Sequence, residues 1–257
     1  MAWVETQSTS FAARHASGEA AATAGLLGRL ETFRGEMSAR FPSTPWDVTV
    51  VVHSSPGQLA LAHPWLPLAR RFAAPAGRRY VAGWFGAREI HVLSSRALAA
   101  RASAAPGSRE ALARAAEHEY AHVVVGLNNP GLPPPFGPRS VRGYLGWAWL
   151  CEGAATHLSG QSRLLGPAVA RRLREGGTPA FPPSARDALL LGGTLFDLLE
   201  EARGPGACVA LASRLDPDGP GHALERAFGR DRRAVESDWR DYLTTFAARG
   251  RGPSRRA

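Results

Sequence analysis

The chain has 257 residues, 31 of them basic and 22 acidic, for a formal net charge of +9 at pH 7. With 44% hydrophobic and 21% charged residues it has a globular composition, which excludes a largely disordered chain. No stretch approaches the roughly 20 apolar residues of a membrane helix, and no fixed-period repeat is present.

Every basic residue is arginine. The arginines are spread along the chain rather than gathered into a stripe, which argues against nucleic acid as a partner. Two cysteines, Cys151 and Cys208, lie in neither a CxxC nor a Cys/His zinc spacing. Residues 1–17 lack the features of a signal peptide, so the expected compartment is cytoplasmic; a segment upstream would make it extracytoplasmic.

Residues 3–15 have strand character. Ser17 can cap a helix running to about Arg40, with Leu26, Leu30, Phe33 and Met37 on one face. Asp47–His53 reads as a buried strand ended by Ser54-Ser55-Pro56-Gly57, and residues 58–72 as a short helix broken at His63-Pro64. Tyr80–Phe85 and Arg88–Leu93 flank Gly86-Ala87, a two-residue hairpin turn. A helix is expected from Ser108 to Gly126, then a Pro- and Gly-rich loop over 127–146. Further helices are expected near 147–159, 164–175, 185–203, 206–214 and 231–247, the last with Val235, Trp239 and Leu243 in steps of four. Strands lie early and helices late, which predicts an α+β fold. We expect a single domain over 1–248, a sheet-containing half (1–126) joined to a helical half (127–248), and a basic tail at 249–257.

The chemically informative segment is His118-Glu119-x-x-His122, inside the helix expected on other grounds. At about 3.6 residues per turn the two imidazoles lie one above the other and can point at one centre about 2.0–2.1 Å from each nitrogen. Glu119, rotated by about 100°, can reach water at that centre without becoming a ligand. A catalytic zinc needs a third protein ligand. The metzincin continuation would put a glycine at 125 and a histidine at 128, where the chain has Val125 and Asn128. Glu152 is the better candidate, the only acidic residue in the apolar run from Tyr144 to Ala155. Burying it requires a partner: either a metal or an arginine such as Arg142.

His-Glu-x-x-His followed by Trp149-Leu150-Cys151-Glu152-Gly153-Ala154-Ala155 resembles the gluzincin zinc metallopeptidases, specifically the bacterial peptidase MA-like domains. The likeness extends over most of the chain, with Cys151 and the Pro-rich segment as departures. It implies a zincin-like fold with His118, His122 and Glu152 on one Zn2+ and Glu119 as general base. The function implied is hydrolysis of a peptide or protein substrate, with endopeptidase action favoured because no exopeptidase motif precedes the helix. Tyr144 and His157 are candidate stabilisers of the transition state, and Arg88–Leu93 is a candidate edge strand for substrate pairing. The alternative is a non-catalytic zinc-containing module that binds peptides on the same framework. Cys151, Tyr120 and the pair Trp147/Trp149 read as packing residues, and His53 and His91 as strand-end histidines outside the site.

Overall fold

The computed structural model describes residues 2–249; the expected tail lies, from residue 250 on, outside them. The strand character of residues 3–15 resolves into a hairpin. In it β1 (Trp3–Gln7) and β2 (Phe11–Ala16) pair antiparallel, Trp3 opposite Ala16. Helix α1 (Ala20–Ser38) follows a short turn at Ser17–Glu19, so Ser17 does not cap it. Its buried stripe is Leu27, Leu30, Phe33 and Met37, with Leu27 in the place expected for Leu26, which is only half-buried.

Strand β3 (Val48–His53) is the apolar centre of the sheet, parallel to β2 on one side. The chain then forms α2 (Pro56–Ala62) and α3 (Leu66–Phe72), separated at His63–Trp65 as the proline there requires. Strands β4 (Gly83–Phe85) and β5 (Glu89–Leu93) make the second hairpin, giving a five-stranded mixed sheet ordered β1-β2-β3-β5-β4. Phe85 faces Ile90, and Gly86 N–H donates to the Glu89 carbonyl. The turn is therefore centred on Ala87-Arg88, one residue beyond Gly86-Ala87. Because β5 lies between β3 and β4, Arg88–Leu93 is not an edge strand; the edges are β1 and β4.

Helix α4 (Ser95–Arg101) was not anticipated. The single helix expected over 108–126 is two, α5 (Ser108–Ala113) and α6 (Ala115–Asn128). The break falls at Arg114, whose guanidinium donates to the Ser159 carbonyl at 2.8 Å. Helix α6 packs on β4, β5 and α1. It runs through Gly126, where a Cβ would sit 2.3 Å from Pro134. Helix α7 (Pro138–Leu158) begins inside the segment expected to be loop, with Pro138 in its first turn and a non-helical Trp147 (φ −124°, ψ 22°) kinking it. The remaining helices are α8 (Gly166–Arg174), α9 (Ala188–Arg203), α10 (Pro205–Ala212), α11 (Pro220–Phe228, also unanticipated) and α12 (Arg232–Arg249). Val235, Trp239 and Leu243 are buried as expected, and the Trp239 indole donates to Thr194 Oγ1 on α9 at 2.8 Å.

The fold is thus α+β, a sheet-bearing N-terminal half and a helical C-terminal half, joined where α6 meets α7. The most intimate helix pair is α7 with α9. Gly153 and Gly192 let the backbones touch: a Cβ on Gly192 would lie 2.4 Å from the Trp149 carbonyl oxygen. Backbone cannot give way as a side-chain tip can, so Gly192→Ala is expected to force the helices apart. Overpacking of this kind costs about 1–3 kcal/mol, which for a chain of this size lowers Tm by roughly 2–12 °C. An unchanged melting curve would contradict the close packing.

Candidate metal centre

Residues Ala115 to Gly126 of α6 are all buried, so whatever α6 presents is presented away from bulk water. His118 and His122, one turn apart, have ring centroids 4.7 Å apart, nearly perpendicular planes, and Nε2 atoms separated by 3.0 Å. Helix α7, straight after its kink, brings Glu152 opposite them. Glu152 Oε2 lies 3.5 Å from His118 Nε2, and Oε1 lies 3.7 Å from His122 Nε2. Ligand atoms from the three residues all fall within 4.8 Å of one another, and among the described residues this is the only such group that could hold a metal ion. Arg142, the other partner considered for Glu152, is exposed and makes no ion pair with it.

The surroundings orient two of the three side chains, Glu152 and His122, while His118 Nδ1 is buried without a hydrogen-bond partner among the described residues. The Tyr144 hydroxyl donates to Glu152 Oε1 at 2.7 Å. Cys151 Sγ lies 3.4 Å from His122 Nδ1, so the residue expected only to pack also touches a ligand through its far nitrogen. With Nε2 turned to the centre, Nδ1–H donates a weak hydrogen bond to the Cys151 sulfur, a weak version of the outer contact that metal-bound imidazoles usually make. Phe85 stacks on the His122 ring at 4.1 Å, and Phe136 packs in turn on Phe85 and Trp84. Glu119 lies beneath β4: a Cβ on Gly83 would meet its carboxylate at 2.4 Å. Only a glycine lets the edge strand pass this close to that side chain.

Burial and mutual charge separate the titrations. Burial pushes the Glu119 carboxyl up to about 8, with the Glu152 charge adding to this and His118 opposing it. Burial works on Glu152 too, but the His122 and His118 imidazoles outweigh it and hold its carboxyl well below the usual range. His118 is pulled down by burial and held above its ordinary value by the carboxylates of Glu152 and Glu119; His122 is held below its ordinary value by burial. Without metal, the cluster is therefore an ionised Glu152 facing a proton carried by the histidine pair. A divalent cation would replace that proton.

Other candidates are placed elsewhere. His157 Nδ1 is bound to Asp197 Oδ1 at 2.7 Å, and Ser162 donates to the same oxygen, so its ring faces α9. Tyr120 packs against Phe11 and Phe33 and donates to the Pro45 carbonyl. Trp147 and Trp149 are buried against each other. His53 and His91 hydrogen-bond to one another at 3.0 Å, outside the metal group. Gly83, Phe85 and Phe136 were missed by sequence reading. Comparison of the chain with protein-family models, with curated proteins and with solved structures found no match.

Two outcomes test this site. Elemental analysis after metal loading is expected to give one ion per chain in the wild type and in Glu119→Gln, and none in His122→Ala or Glu152→Ala. Full occupancy in Glu152→Ala would remove the carboxylate from the ligand set. The second test concerns pH in the presence of a chelator. An unfolded Glu119 ionises near 4.5, whereas the folded one keeps its proton to about 8. Between these values the unfolded chain binds fewer protons, so this group's contribution to stability falls as pH rises. Denaturation midpoints across that window should decline less in Glu119→Gln than in the wild type. An equal decline would show that Glu119 is not shielded as described.

Proposed function

We propose that the chain is a zinc-dependent peptidase of gluzincin type. The observation that carries this reading is Glu119, a buried carboxyl with raised proton affinity next to a buried His-His-Glu group. Two imidazole nitrogens and one carboxylate are a donor set that suits zinc and leaves a coordination position open. A structural zinc site would be closed by four protein ligands. Zinc bound there would supply an activated water and polarise a substrate carbonyl.

The chain's own groups divide the remaining work. Glu119, ionised once a divalent cation offsets the burial that raises its proton affinity, would accept the proton from water and hand it to the departing amine. Tyr144 and Cys151 hold Glu152 and His122 in place. Burial and the Glu152 charge keep the Tyr144 phenol neutral, so it remains a hydrogen-bond donor at working pH. The outer side of β4 is unpaired in the sheet, and its Gly83 lies against Glu119. An extended peptide added there would pass directly across the site.

The test is a peptide library incubated with the metal-loaded protein and read by mass spectrometry. The expected result is cleavage that a chelator abolishes and zinc restores, and that Glu119→Gln lowers by about 10²–10⁴-fold while zinc stays bound. Peptide capture without cleavage by the zinc-loaded wild type would favour the non-catalytic module instead.

A further inference from the structure

From Val48 to Arg88 the chain contains no Asp or Glu and five arginines. Within this segment, α2 and α3 are turned inside out relative to an ordinary surface helix. Leu59 and Leu66 face the core, yet the outward positions are also large and apolar. Leu61 is 84% exposed, Trp65 71%, Leu68 45% and Phe72 69%. Trp65, Leu68 and Phe72 fall at i, i+3 and i+7 along α3 and its N-cap and so share one helical stripe, while Leu61 is exposed on α2 across the His63–Trp65 break. Exposed apolar residues in a contiguous stripe mark an interaction surface rather than chance exposure.

The charges beside the stripe indicate the partner. Arg70 and Arg71 lie in the last turn of α3, and Arg78 and Arg79 follow six and seven residues after its end. None of the four forms an ion pair with a carboxylate among the described residues. Arg71 and Arg78 are exposed. A second copy of this chain, docked through the same face about a two-fold axis, would set arginine against arginine. The sequence after Arg249 is also basic, with Arg251, Arg255 and Arg256, and offers no acidic segment to cover the stripe. Tryptophan, phenylalanine and leucine flanked by arginine are the side chains that seat a helix in the interface of an anionic bilayer.

We propose that the α2–α3 face docks peripherally on an anionic lipid surface, Leu61, Trp65, Leu68 and Phe72 entering the interface and Arg71 and Arg78 meeting the headgroups. Among the described residues no helix is long and apolar enough to cross a membrane, and the proposed contact is one of lying on the bilayer. The face is coupled to the metal centre's rim: His63 stacks on Trp84 of β4 at 5.4 Å, and Arg70 Nε donates to the Val81 carbonyl. Docking would therefore bring the edge strand over Glu119 close to the lipid surface. The inference does not depend on the proposed peptidase activity.

Vesicle flotation of the full chain tests it, with phosphatidylcholine alone and with phosphatidylcholine containing phosphatidylglycerol. The expected result is binding to the anionic vesicles, weakened by salt, reduced at least tenfold by Trp65→Ser with Phe72→Ser. Arg71→Ala should reduce it about fivefold. Thermal unfolding should match the wild type, since all three side chains are exposed. Absence of binding to the anionic vesicles would overturn the proposal, as would a double variant that binds like the wild type. So would wild-type self-association abolished by the double variant without any vesicle binding, which would assign the face to a second copy.

Discussion

An ionised carboxylate inside an apolar helix pair is the constraint around which the molecule is arranged. Glu152 lies in the buried half of α7, where an uncompensated charge would cost several kcal/mol. Compensation comes from two imidazoles on α6 and from the Tyr144 hydroxyl. The same concentration of charge is what would let the position hold a cation. A histidine pair that must share a proton to balance Glu152 can exchange that proton for a metal ion, and a second buried carboxyl, Glu119, is left holding its own.

Packing elsewhere serves to keep α6 and α7 in that relation. On one side, the sheet and α1 pin α6, with Tyr120 locked into the core beside the histidines. On the other, α7 is pressed against α9 through Gly153 and Gly192, while His157 is tied to Asp197 one and a half turns beyond Glu152. The kink at Trp147 separates the buried half of α7 that carries Glu152 from a more exposed half that carries Tyr144.

What could be read from the sequence was what depends on local periodicity. His118 and His122 share a helix face by spacing alone, and Glu152 stood out as a lone acid in an apolar run. The strands at 48–53 and 89–93 and the stripe of Val235, Trp239 and Leu243 were legible for the same reason. Errors arose where tertiary contacts decide. The helix breaks at Arg114, whose guanidinium is tied to a carbonyl 45 residues away that local sequence does not reveal. Gly86-Ala87 and Ala87-Arg88 are both acceptable turns, and only the pairing of Phe85 with Ile90 selects between them. Proline and glycine near 138 looked like loop, although Pro138 is compatible with a first helical turn. Gly83 and Phe85 reach the site from an edge strand of three residues, and nothing in their neighbourhood announces a contact with Glu119 or His122.

The most direct measurement is X-ray absorption at the metal edge of the wild-type chain loaded with one equivalent of zinc. The account predicts a nitrogen and oxygen shell at about 2.0–2.1 Å with the outer scattering of two imidazoles. A sulfur shell at about 2.3 Å would make Cys151 a ligand, and a shell without imidazole scattering would remove the histidine pair. Either result would contradict the assignment of His118, His122 and Glu152 as one metal centre.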